Sequence, residues 1–118
     1  MAFDLIALDL DGTLIDNAQT ISPRVRRAIW QAQAGGVRVT VATGRSYLST
    51  HPHAQHLGIV EPYICYQGGL IVQPDGQVLY RVTLQPELAG QVLDMADELG
   101  WHAALYVGEQ VYAAEPRY

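Results

Sequence analysis

Lysine is absent from this 118-residue chain, and all seven of its basic residues are arginine, at positions 24, 26, 27, 38, 45, 81 and 117. Any chemistry that needs an ammonium group must therefore do without one from this chain. Positive charge is scarce overall. The formal net charge is -5, and the one basic cluster is Arg24, Arg26 and Arg27. Such a balance repels a phosphodiester backbone, so nucleic acid is not an expected partner. A single cysteine, Cys65, excludes an internal disulfide and suits a reducing, cytoplasmic setting. No apolar run approaches the roughly 18 residues of a membrane helix. The opening Met-Ala-Phe-Asp-Leu-Ile has neither the basic segment nor the long apolar stretch of a secretory signal. What is present is an ordinary apolar share, 49%, spread along the chain, which excludes general disorder and suits one compact domain.

Phe3 to Leu10 reads as a short apolar strand buried on both faces, stopped by Asp11-Gly12-Thr13. Ser22-Pro23 is a helix start, with a capping hydroxyl and a proline at the first helical position. Val25, Ala28, Ile29 and Ala32 recur at helical spacing until Gly35-Gly36. Val37 to Ala42 is a second, β-branched strand, and strand-helix-strand over this length predicts a right-handed βαβ unit with parallel strands. Ser46 to Leu57 is a helix interrupted by Pro52, and Tyr63 to Tyr66 a third strand. Leu70 to Gln73 and Gln77 to Thr83 flank Pro74-Asp75-Gly76 as a hairpin. Pro86 opens a helix with an apolar stripe of Leu88, Val92, Met95, Ala96 and Leu99, closed by Gly100. A second hairpin, His102 to Val107 and Gln110 to Ala114, turns around Gly108-Glu109.

The sharpest chemical feature is Asp9-Leu10-Asp11-Gly12-Thr13-Leu14. Two carboxylates at the carboxyl end of a parallel strand sit where open α/β sheets hold their ligands, and Gly12 lets the backbone turn so that both face one point. Like charges so close need a divalent cation or a shared proton. Such a pair suits phosphoryl transfer, in which one carboxylate attacks phosphorus and the other handles protons, with magnesium balancing charge through oxygen ligands. Thr43-Gly44-Arg45 follows the second strand and offers a hydroxyl, a glycine amide and a guanidinium to phosphate oxygens.

Asp9 to Leu14, with Ala42-Thr43-Gly44-Arg45 about 30 residues on and Gly68-Gly69 before a hairpin, resembles the Cof-type phosphatases of the haloacid dehalogenase superfamily. The resemblance runs along essentially the whole chain. It implies an α/β fold, a Rossmann-like parallel sheet (incomplete here) over residues 1–82, followed by the beginning of an α+β cap over 83–118. It further implies that Asp9 is the nucleophile and Asp11 the general acid/base, with a raised pKa once Asp9 and the metal are in place. Phosphate would be bound by Thr43, with Gly12, Gly44 and Arg45 beside it, and Mg2+ held by Asp9 and Asp11, the latter through its backbone carbonyl. The implied reaction is hydrolysis of a small phosphate monoester, a sugar phosphate or phosphorylated cofactor. A phosphomutase or phosphotransferase of the same superfamily, or a non-catalytic fragment that only binds metal or phosphate, are the alternatives.

Two departures stand out. The family usually carries Asn-Gly-Ala or Asn-Gly-Gly where this chain has Gln67-Gly68-Gly69, which displaces the amide by one methylene. The family also needs a lysine and a further acidic pair, whereas the later acids Asp94, Asp97 and Glu98 fall on the predicted cap helix. The chain is accordingly expected to be the N-terminal portion of a longer hydrolase and catalytically incomplete alone. Its first strand would then lack a neighbour on one side, so a homodimer across that edge, or poor folding, is expected. His51, His53, His56 and His102 match no common zinc spacing. Cys65 reads as a core residue, the strand tyrosines and both tryptophans as packing groups, and Arg24, Arg26 and Arg27 as a solvated helix face.

Overall fold

Ser22 and Pro23 start the first helix as their chemistry dictates. In the computed structural model, which describes residues 3–114, Ser22 is extended and its hydroxyl accepts the Val25 amide at 3.2 Å ahead of α1 (Pro23–Ala34). The helix ends where Gly35 N–H reaches the Gln31 and Ala32 carbonyls, and Gly36 takes a left-handed φ of 87° into the next strand. Around α1 lie β1 (Leu5–Leu8) and β2 (Arg38–Val41), parallel, with Leu5 opposite Arg38 and Leu8 opposite Val41. A parallel bridge between Ala42 and Ile64 joins β2 to β3 (Tyr63–Cys65), so β2 runs between the other two. The α/β fold with a parallel sheet is therefore present.

The chain forms two compact units, residues 1–82 and 83–118; residues 115–118 at the end of the second lie outside the described residues. In the first unit, Leu10, Leu14, Ile15, Ile29, Val39, Val41, Tyr63 and their neighbours form one buried cluster. Its buried hydroxyls are satisfied: Thr40 Oγ1 donates to the Pro62 carbonyl, and Thr50 Oγ1 to the Ser46 carbonyl at 2.7 Å. Cys65 is buried in this cluster, as expected of a core residue.

Two expectations need correction here. The first strand is not buried on both faces. It shortens to Leu5–Leu8, with Leu5 42% and Ile6 36% exposed. The reason is topological: β1 has β2 on one edge and no strand on the other among the described residues. Nor does Pro52 interrupt its helix. α2 (Tyr47–His56) runs through it, capped by Ser46, whose hydroxyl accepts the Ser49 amide. Proline removes one N–H from the helix, but Thr50 and Ala54 are buried on its core face and packing holds the helix together.

β4 (Leu70–Val72) pairs antiparallel with β3 and with β5 (Val78–Arg81), slipping register between Ile71 and Val72. In the turn, Asp75 Oδ1 accepts the Gln77 amide at 2.9 Å and Gly76 has a φ of 90°. The Tyr47 hydroxyl donates to the Pro74 carbonyl at 2.9 Å, tying α2 to that turn. The second unit comprises α3 (Pro86–Glu98) and an antiparallel hairpin, β6 (Ala104–Val107) and β7 (Gln110–Ala113). Of the α3 stripe, Ala96 is buried, whereas Leu88, Val92, Met95 and Leu99 are exposed.

Candidate active site

Three parallel strands deliver their carboxyl ends to one rim, and the loops that follow are hydrogen-bonded to one another. After β1, the Leu10 carbonyl accepts the amides of Thr13, Leu14 and Ile15, and Gly12 N–H donates to Ile15 O at 3.0 Å. This tight turn needs Gly12 at a φ of 75°, a conformation that favours glycine. After β2, Thr43 N–H donates to Ile64 O at 2.9 Å. After β3, Tyr66 N–H donates to Arg45 O at 3.0 Å and Gln67 N–H to Thr43 O at 3.1 Å. Tyr66 and Gln67 hold φ angles of 49° and 56°, left-handed backbone in two successive non-glycine residues. Such strain persists only where surrounding bonds enforce it, and these two amide bonds do so.

The two sequence motifs meet through one ion pair. Arg45 Nε donates to Asp11 Oδ2 at 2.8 Å and Nη2 to Asp11 Oδ1 at 2.6 Å, a bidentate fork. Its remaining donors also find partners. Nη2 donates to Gln19 Oε1, Nη1 to Ser49 Oγ at 3.2 Å, and Nη1 lies 3.4 Å from His53 Nε2. A guanidinium cannot accept, so the imidazole nitrogen does. The Arg45 bond is the main reason the Asp11 carboxyl stays below its ordinary pKa, and the same bond raises the pKa of Arg45. Burial, then repulsion from Arg45, lowers that of His53.

Each expected site residue can now be placed. Asp9, exposed at the end of β1, has no hydrogen bond or ion pair with another described residue. Asp11 stands against the Thr43–Arg45 loop. Thr43 is buried, and its hydroxyl oxygen accepts the Arg45 amide at 3.2 Å. Gly44 is exposed, and a Cβ there would lie 2.6 Å from Gln67 Nε2, so glycine lets the Gln67 amide rest on the loop. Arg45, expected beside phosphate, has its N–H donors on protein acceptors in this structure.

Gln19, Ser49 and His53 were not singled out as site residues in the sequence. A serine and a histidine one and two helical turns beyond Arg45 are a readable signal, whereas Gln19 gives none. As for a metal, an Asp9 carboxylate and the Asp11 carbonyl are hard oxygen donors that fit Mg2+, which keeps several waters and takes few carboxylates. No group of three or more His, Cys, Asp or Glu side chains that could hold a metal occurs among the described residues.

The family model for haloacid dehalogenase-like hydrolases matches residues 6–117. The chain belongs to this family. Haloacid dehalogenase-like relatives include the phosphatase YwpJ of Bacillus subtilis (strain 168), 30% identical over 111 residues, which cover 94% of this chain and 39% of that protein. The pyridoxal phosphate phosphatase YbhA of Escherichia coli (strain K12) is 30% identical over 117 residues, 98% of this chain and 43% of that protein. Among solved structures, a haloacid dehalogenase-like hydrolase from B. subtilis superposes with a TM-score of 0.85 at 29% identity, over 98% of this chain and 40% of that one. The chain thus spans about two fifths of the length of these relatives. No helix among the described residues is long and apolar enough to cross a membrane.

Proposed function

We propose that this chain carries the nucleophile-bearing part of a magnesium-dependent phosphatase acting on a small phosphate monoester, a sugar phosphate or phosphorylated cofactor. The observation that carries the reading is the Asp11–Arg45 fork, which brings the Asp-x-Asp turn and the Thr43–Gly44–Arg45 loop to one place. The pyridoxal phosphate named for the relative YbhA supports the cofactor class of substrate.

In this reading an Asp9 carboxylate oxygen attacks phosphorus, the bond from phosphorus to the leaving oxygen breaks, and an aspartyl phosphate forms on Asp9. Asp11 supplies a proton to the leaving group and takes one from the water that hydrolyses the aspartyl phosphate. Its ionised state, favoured by Arg45, suits the second of these tasks. The Thr43 hydroxyl, whose oxygen is occupied by the Arg45 amide, keeps its proton for a phosphate oxygen, and the Gly12 and Gly44 segments flank it. Bound at the Asp9 carboxylate and the Asp11 carbonyl, Mg2+ would supply charge neutralisation for the phosphoryl group.

The lysine implied by the family resemblance has no counterpart among the seven arginines, so the chain alone is read as catalytically incomplete. The open edge of β1 supports a homodimer. The single cysteine supports a cytoplasmic location.

The test is magnesium-dependent phosphate release from an aryl phosphate, by this chain alone and by this chain fused to the C-terminal part of YwpJ. The chain alone is expected to be silent and the fusion active. Asp9→Asn in the fusion should reduce release by on the order of a thousandfold or more. A fusion that folds and stays silent, or one unaffected by Asp9→Asn, removes the phosphatase reading.

A further inference from the structure

An arginine has five N–H donors, and in Arg45 each has an acceptor: both Asp11 oxygens, Gln19 Oε1, Ser49 Oγ and His53 Nε2. We propose that Gln19 is a positioning residue, which holds Nη2 of Arg45 and thereby fixes the guanidinium fork and the Asp11 carboxylate it grips. The inference rests on the reading of Asp11 as the general acid/base and adds to it the residue that sets where that carboxylate stands.

The loop bearing Gln19 is shaped for this task by its own bonds. Asp16 Oδ1 accepts the amides of Ala18 and Thr20 at 2.9 Å, and Asp16 Oδ2 accepts the Thr20 hydroxyl at 2.8 Å. Asp16 N–H donates to Thr20 O at 3.1 Å, and Gln19 N–H to Asp16 O at 2.9 Å. With both ends closed in this way, Gln19 is held at a φ of 59°, left-handed backbone that disfavours a side chain with a Cβ. The Gln19 amide thereby reaches Arg45 from 26 residues away in sequence.

Ser49 and His53, one turn apart on α2, hold Nη1 from the other side. The guanidinium is thus gripped between a loop and a helix, with its side chain 20% exposed. Arg45 cannot turn to a phosphate without giving up one of its five bonds. Its assignment is therefore to Asp11, with Gln19 closing the grip on the side where the loop, and no helix, must supply the acceptor.

The test uses the whole chain, 15N- and 13C-labelled, without substrate or metal, so its outcome is independent of phosphate release. Gln19→Met keeps the side-chain length and removes the acceptor. Gln19→Glu keeps an oxygen in place. Dispersed backbone amide spectra establish that each variant is folded, with Gln19→Ala as a second acceptor-free variant. Loss of one charge-assisted hydrogen bond is expected to speed solvent exchange of the Arg45 Nε–H by about tenfold in Gln19→Met. Gln19→Glu should restore the slow exchange of Arg45. Exchange within about twofold of the wild type in both acceptor-free variants overturns the inference.

Discussion

The two units differ most in how much of their apolar surface they cover. In residues 1–82, thirteen apolar side chains form one buried cluster between helices and strands. In the described part of 83–118, Ala96 is the one buried apolar residue, while Leu88, Val92, Met95, Leu99 and Trp101 stay exposed. Both units have apolar periodicity of the right kind. The difference is in what packs together: five strands and two helices enclose a core, whereas one helix and a two-stranded hairpin leave most of each apolar face open. An apolar stripe in a sequence is thus a requirement for a core, and its burial depends on what lies opposite.

The largest expected effect tests the covered unit. Leu57 is fully buried, and Leu57→Ala should cost about 2–5 kcal/mol. Urea unfolding, followed through Trp30 fluorescence in a Trp101→Phe background, reads this directly, because the Trp30 indole donates to the Leu57 carbonyl. A loss below about 1 kcal/mol would mean that the cluster is not a close-packed core. Hydrogen exchange should then separate the units. Amides of β2 and β3 are expected to exchange on the order of a hundredfold more slowly than those of β6 and β7, and equal rates would break the contrast.

Acid should act on the first unit through Asp11. Its folded pKa is lowered from 3.8, first by the Arg45 hydrogen bond. The stabilisation is therefore fully present above about 3.8 and is lost as pH falls through the lower folded value. The Asp11 side chain is 53% exposed, so the loss should stay under about 1 kcal/mol. Stability measured against pH should show this slope in the wild type and a shallower one in Arg45→Met; identical slopes would exclude the pair as its source. The smallest effect is expected in the uncovered unit. Leu88→Gln should change stability by no more than about 0.5 kcal/mol by the same urea assay, and a larger loss would show that Leu88 is covered in solution.

Much of the fold was legible because local chemistry and tertiary demand agree. Ser22-Pro23 capped α1, Pro74-Asp75-Gly76 turned a hairpin, and the Asp-x-Asp turn closed around Gly12. Failures came where a local preference was outvoted. Pro52 lowers helix propensity, yet burial of Thr50 and Ala54 carries α2 across it. The apolar run from Phe3 promised a buried strand, but an edge position exposed it. At the candidate site, Asp9, Asp11, Gly12 and Thr43 to Arg45 could be named because their motifs are local. The Arg45 partners could not, since a glutamine 26 residues earlier gains meaning only once two loops have met.

By itself the amino-acid order determined the family, the βαβ beginning and the pair of loops that bear the acidic and hydroxyl groups, because caps, glycine turns and short motifs act over a few residues. Tertiary structure alone decided which helix face is covered and that the Arg45 guanidinium meets the Asp11 carboxylate. Burial and charge pairing are properties of neighbours in space, and those neighbours are chosen when the whole chain packs.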